Sequence, residues 1–182
     1  MPLLCAGLLV SLAGIGHSQI DDGAAWFIHM SADGLHLLAA GAWLGGLVSL
    51  FYLVARAGKS SAGDAEAAYA ALRFSAMGYI AVATLVGSGL LNSWYLVGSF
   101  ANLATPYGQL LLVKLALFTG MLGFASVNRF LIVPALFNSE FDGRSAGLAK
   151  LRRHLVGEQA LGILIILIVS ALGSMQPAIN PS

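Results

Sequence analysis

Residues 155–175 read LVGEQALGILIILIVSALGSM, a run in which Glu158 is the only charged side chain. As a helix rising 1.5 Å per residue it reaches about 31 Å, the thickness of bilayer hydrocarbon, and a helix apolar on every side has no water-facing surface. Three more runs share this character, at 35–55, 74–97 and 107–127. A fifth, at 3–16, is apolar but shorter, and the basic residues that open a secretory signal do not precede it. It reads as a helix whose beginning is missing, so the chain is expected to be the later part of a longer protein. The expected fold is all-α, a polytopic transmembrane bundle of about five helices in one domain over 1–182. Their expected positions are about 3–16, 30–55, 73–97, 107–130 and 152–175.

The composition agrees. Of 182 residues 58% are hydrophobic and 9% charged, with mean hydropathy +0.85, whereas soluble domains carry about 25% charged residues. A net charge of +1 without a basic stripe excludes nucleic acid as a partner. Cys5 is the only cysteine, so neither an internal disulfide nor a multi-cysteine metal site is available. No H-E-x-x-H or P-loop occurs, and the chain reads as a binding or transport protein, not an enzyme.

Charge placement orients the bundle. Arg56, Lys59 and Arg73 lie between expected helices two and three, and Arg129, Arg144, Lys150, Arg152 and Arg153 between four and five. The positive-inside rule makes these connections cytoplasmic, with the N-terminus on the same side. Residues 17–31, 98–106 and the tail from Gln176 then face the periplasmic side. Trp26, Trp94, Tyr95 and Tyr107 fall at that outer boundary, where amphipathic rings are favoured as anchors. Gly41 and Gly45 form a G-x-x-x-G followed by Gly46, which suits close packing inside the bundle or the face of a homodimer.

An ionisable group in hydrocarbon costs about 2.5–3.5 kcal/mol on insertion scales, so each one needs a reason. His29, Asp33 and His36 are spaced four and three apart, along one stripe of helix two. Met30 and Trp26 neighbour that stripe, and His17 stands at the outer end of helix one. Imidazoles suit copper or zinc, a thioether such as Met30 or Met175 favours Cu(I), and Asp33 could ligate or orient a ring. The plainer alternative is a set of interfacial polar residues, with His36 bonded to a backbone carbonyl. A second cluster combines His154 and Glu158 with Arg73, Asn128 and Arg129 at the inner helix ends. There Glu158 is expected to pair with Arg73 or Arg129, either as a structural lock or as part of an exit or proton relay. Lys114 either snorkels outward or pairs within the bundle with Asp33 or an anion.

These residues also carry a family resemblance: HLLAAGAWLGG at 36–46, RFS at 73–75, GLLN at 89–92, TPYG at 105–108 leading to Lys114, Asn128-Arg129, and Glu158. In this order and spacing they resemble the copper resistance protein D (CopD) family, over nearly the whole chain. The resemblance implies a bacterial inner-membrane protein of copper uptake or resistance, often paired with a periplasmic copper-binding partner of the CopC type. It also implies further N-terminal helices. His36 and Trp43 match the signature of helix two, while Asn92, Lys114, Asn128 and Glu158 match family-typical polar positions without an assigned role. Copper transport is the first functional expectation, with capture at the outer histidines and Met77 and Met121 as soft stepping points or core filler. A haem b electron-transfer subunit, with two of His17, His29 and His36 as axial ligands, is the alternative. An accessory subunit that only binds a periplasmic partner is the third.

Overall fold

The computed structural model describes residues 24–58 and 60–176. Helix α1 (Ala24–Arg56) is followed by α2 (Ser61–Val97), a 3₁₀ turn (Phe100–Ala104) and α3 (Pro106–Val127). A π turn (Asn128–Ile132) then leads into α4 (Val133–Asn138), and α5 (Phe141–Gly173) completes the order. No strand occurs among the described residues. Four helical segments are long and apolar enough to cross a membrane: Phe27–Arg56, Ser61–Val97, Pro106–Asn138 and Asp142–Gly173. The expected all-α transmembrane fold is therefore what the chain adopts. The expected helix at 3–16, and His17 with it, lie outside the described residues.

The helices outrun their expected bounds. Thirty-three residues in α1 and 37 in α2 give lengths of about 50 and 56 Å, well beyond the hydrocarbon. Hydropathy locates only the part solvated by lipid, while the flanking turns follow helix propensity. Residues 61–72, SAGDAEAAYAAL, are rich in alanine, the best helix former. Ser60 starts this extension as an N-cap: its Oγ accepts the Gly63 N–H at 3.2 Å and its carbonyl the Asp64 N–H at 3.1 Å. Asp64 accepts the Gly58 N–H at 2.5 Å, tying down a turn in which Gly58 adopts φ +89°. Arg73 accordingly lies well inside α2 rather than at the opening of the helix.

The TPYG motif has a local explanation. Thr105 Oγ1 accepts the Gly108 N–H at 3.1 Å and donates to the Asn102 carbonyl at 2.6 Å, while Pro106 occupies the first helical position, where no N–H is needed. A side chain at position 108 would run into the Asn102 carbonyl and Leu103 backbone, so only glycine fits.

The chain forms two compact units, each drawing on segments of all four long helices. The described part of the first comprises 24–43, 80–115 and 167–176. Its apolar cluster is Val97, Tyr107, Leu111 and Leu172, with Leu103, Ile168 and Met175 packed against it. Tyr107 is thus a buried core residue rather than the expected interfacial anchor, whereas Trp94, 74% exposed, fits that role. Met175 likewise serves packing here.

The second unit comprises 44–79 and 116–166. Leu47, Val133, Leu136, Leu151 and Leu155 are almost fully enclosed. Within it, the backbone at Gly46 lies against the Phe74 ring, so that a Cβ would stand 2.6 Å from Cε2, while Gly45 is open. Close packing in the bundle therefore uses Gly46, one step beyond the G-x-x-x-G register.

Candidate functional site

In the first unit the stripe of α1 meets an antiparallel stripe of α2 rung by rung. The His36 Nδ1 lies 2.9 Å from Ser88 Oγ, Asp33 Oδ1 accepts from Asn92 Nδ2 at 2.5 Å, and the His29 ring stacks on Tyr95. The ring centroids of that stack are 4.6 Å apart at 10°. Positions 36, 33 and 29 on one helix thus oppose 88, 92 and 95 on the other, both sets following the three-and-four spacing of a single helical face. His29 is 2% exposed and His36 half-buried against the small surface of Gly89.

Ser88 Oγ also lies 2.5 Å from the Thr84 carbonyl and 3.5 Å from that of Leu85, and the Leu85 backbone bonds His36 as well, the carbonyl partner expected for it. With the hydroxyl proton given to Thr84, Ser88 accepts from His36 Nδ1–H and Nε2 carries the lone pair, the orientation through one nitrogen that metal-binding histidines use.

Charge of both signs surrounds these rungs. The ammonium of Lys114, from α3, interacts with the Asp33 carboxylate and with His36, and Asp33 also acts on Tyr107. Of the two expectations for Lys114, the structure favours the inward one. Asn92, known from sequence only as a polar position, has a defined partner in Asp33. Ser88 was not singled out by sequence; its signal was the i, i+4 spacing to Asn92 inside an apolar span.

The stripe does not close on a single point. Among the described residues no three His, Cys, Asp or Glu side chains are grouped as they would be around a metal ion. Seven residues advance about 10.5 Å along the axis, and each ring is engaged on its own rung, His29 on Tyr95 and His36 on Ser88. His17 lies outside the described residues.

The second unit holds the other polar cluster, with a different partnership from the one expected. Glu158, 1% exposed, accepts from Asn128 Nδ2 at 2.6 Å. Arg129 turns instead to Tyr79, with Nε donating to its hydroxyl at 3.3 Å and the guanidinium over the ring, and Arg73 is exposed. The expected salt bridge from Glu158 to Arg73 or Arg129 is therefore replaced by an amide. Asn128 reaches the carboxyl because it opens the π turn, where the Val133 N–H bonds to the Asn128 carbonyl and Pro134 has no N–H to give. His154 stands edge-on to Phe124 at 5.3 Å. Met77, beside Gly46, and Met121, 3% exposed, are packing residues.

Comparison with known proteins places this arrangement. Residues 68–172 match the family model described as copper resistance protein D. The chain is 36% identical over 180 residues to "Copper resistance protein D" of Pseudomonas syringae pv. tomato, covering 96% of this chain and 58% of that protein. It is 32% identical over 175 residues to "Inner membrane protein YebZ" of Escherichia coli (strain K12), with coverage of 96% and 58%. It is also 32% identical over 178 residues to "Copper transport protein CutJ" of Bacillus subtilis (strain 168), covering 97% of this chain but 30% of that one. The chain thus spans a little over half the length of the first two relatives. No solved structure matches it significantly. With more than half its length matched to the family model, the chain belongs to the copper resistance protein D family.

Proposed function

We propose that this protein handles copper ions in a bacterial inner membrane, as part of copper uptake or resistance, and that its contact with the metal is centred on His36. Copper enters the reading from its relatives, which are named for copper resistance and copper transport. The observation that carries the residue assignment is the Ser88 bond, which presents His36 Nε2 as a ready donor. Asp33, one turn away, is the nearest anionic partner, and His29, Met30 and His17 complete the candidate set. Because His29 and His36 are engaged on separate rungs, these residues act as successive or alternative contacts for a cargo ion rather than as a fixed resident site. Nearby Lys114 opposes a second positive charge, which suits a site that must release what it binds.

The lopsided placement of Lys and Arg supports a cytoplasmic N-terminus, with the His29–His36 stripe toward the periplasm. A CopC-type periplasmic carrier is then the natural donor of copper. A cysteine replacing Ser60 should be shielded from an impermeant thiol reagent in intact cells and one replacing Ser99 should react; the reverse pattern rejects this orientation. No observation favours haem b: the His29 ring is stacked on Tyr95 and His36 is held by Ser88, two turns apart. Metal analysis of purified protein after copper exposure, with wild type and His36→Ala side by side, tests the function; copper retained equally by both contradicts it.

A further inference from the structure

We propose that Glu158 is a proton-binding site, a carboxyl group that carries a proton inside the helical bundle and exchanges it with water. The geometry supplies one hydrogen-bond donor where an ionised carboxylate needs several. Glu158 Oε1 accepts from Asn128 Nδ2 at 2.6 Å, while Oε2 is buried without a hydrogen-bond partner. The Asn128 Oδ1 is buried without a partner as well, so the pair exposes two unfilled acceptors to an apolar interior. On α5 itself Leu151 and Leu155 are enclosed, and the Phe124 ring would lie 3.0 Å from a Cβ at Gly157, the residue before Glu158. A lone negative charge in such surroundings is far more expensive than a neutral acid. A proton is the smallest occupant that removes this charge, and it turns Oε2 from an unfilled acceptor into a donor.

No fixed cation serves instead. On α5 itself, His154 is one turn away with its ring against Phe124, and Lys150, Arg152 and Arg153 are exposed or half-exposed beyond it. From the π turn after α3, Arg129 is spent on Tyr79 of α2, and Arg73 of α2 is exposed. From α1 the neighbouring polar group is the Leu47 carbonyl, which accepts from Gln159 at 3.3 Å, and Arg56 lies over Tyr52. The π turn that brings Asn128 to the carboxyl is a departure from regular helix of the kind that recurs at functional positions. An ionisable group within a membrane span is itself such a position.

The test is the infrared spectrum of the full chain in lipid vesicles, with and without glutamate ¹³C-labelled at the side-chain carboxyl. Glu66 and Glu140, the other glutamates, are exposed. The expected result is a C=O stretch of a protonated carboxyl group at neutral pH that moves with the label, shifts on exchange into D₂O, and is lost in Glu158→Gln. Absence of any label-sensitive band from a protonated acid overturns the proposal, and so does a band that survives in Glu158→Gln. Labelled wild-type protein shows whether the band exists even if that variant fails to fold. Copper plays no part in this measurement, so it stands apart from the copper reading.

Discussion

The two polar clusters handle buried polarity in opposite ways. In the first unit each side chain of the α1 stripe meets its own partner on α2, and a cation and an anion share the neighbourhood. In the second unit a single carboxyl group has a single amide donor, with an unfilled oxygen on each side of the pair. Asn92 Oδ1 in the first cluster is buried without a hydrogen-bond partner just as Asn128 Oδ1 is in the second, so the amides do not separate the two. The cation does: Lys114 stands by the Asp33 carboxylate, whereas Glu158 has only its amide, and a buried carboxyl group without a cation is kept at a cost in stability, which points to a use. Sequence treats the two alike, as charged residues within apolar spans.

Removing one amide from each cluster puts this contrast at risk. Asn92→Leu takes the Nδ2 donor from Asp33, a hydrogen bond to a charged group, and should destabilise by about 1.5–3 kcal/mol in an SDS unfolding titration. Asn128→Leu takes the donor from a carboxyl that carries its own proton, and should cost less, about 1 kcal/mol. Equal costs would mean that Glu158 is as fully charged as Asp33, and the contrast would fall. Ser88→Ala, the mildest change, removes the acceptor for His36 Nδ1–H and should cost about 0.6 kcal/mol, the average for a hydrogen bond between membrane helices. Its larger effect should be on copper, with affinity about tenfold lower in an equilibrium competition assay, because the ring loses the group that orients it. Unchanged affinity would show that the Ser88 bond serves packing alone.

Much of this architecture is legible in the sequence. The four spans follow from long apolar runs, and the charged residues inside them that mattered, Asp33, Lys114 and Glu158, stand out for being there. What sequence conceals is register between helices. Nothing local to Glu158 says that Asn128 rather than Arg129 faces it, because the π turn at 128–132 rotates the two relative to regular α-helical phase. Nothing local to His36 points to Ser88, a residue too small and too common in membrane helices to attract notice. Asp64, fully enclosed, reads as an ordinary surface acid until its bond to the Gly58 N–H is seen. A shared stripe fixes direction but not height along the axis, so the spacing of His29, Asp33 and His36 does not by itself say that they meet at one point.

The most direct test of the central claim is copper binding to purified protein, with wild type, His36→Ala and His154→Ala compared at equal folded fraction. His36 is held by Ser88 on the α1–α2 ladder, whereas His154 is set against Phe124 in the other cluster. The account predicts that His36→Ala weakens copper affinity at least about tenfold and that His154→Ala leaves it unchanged. Wild-type affinity in His36→Ala, or a loss confined to His154→Ala, would contradict it.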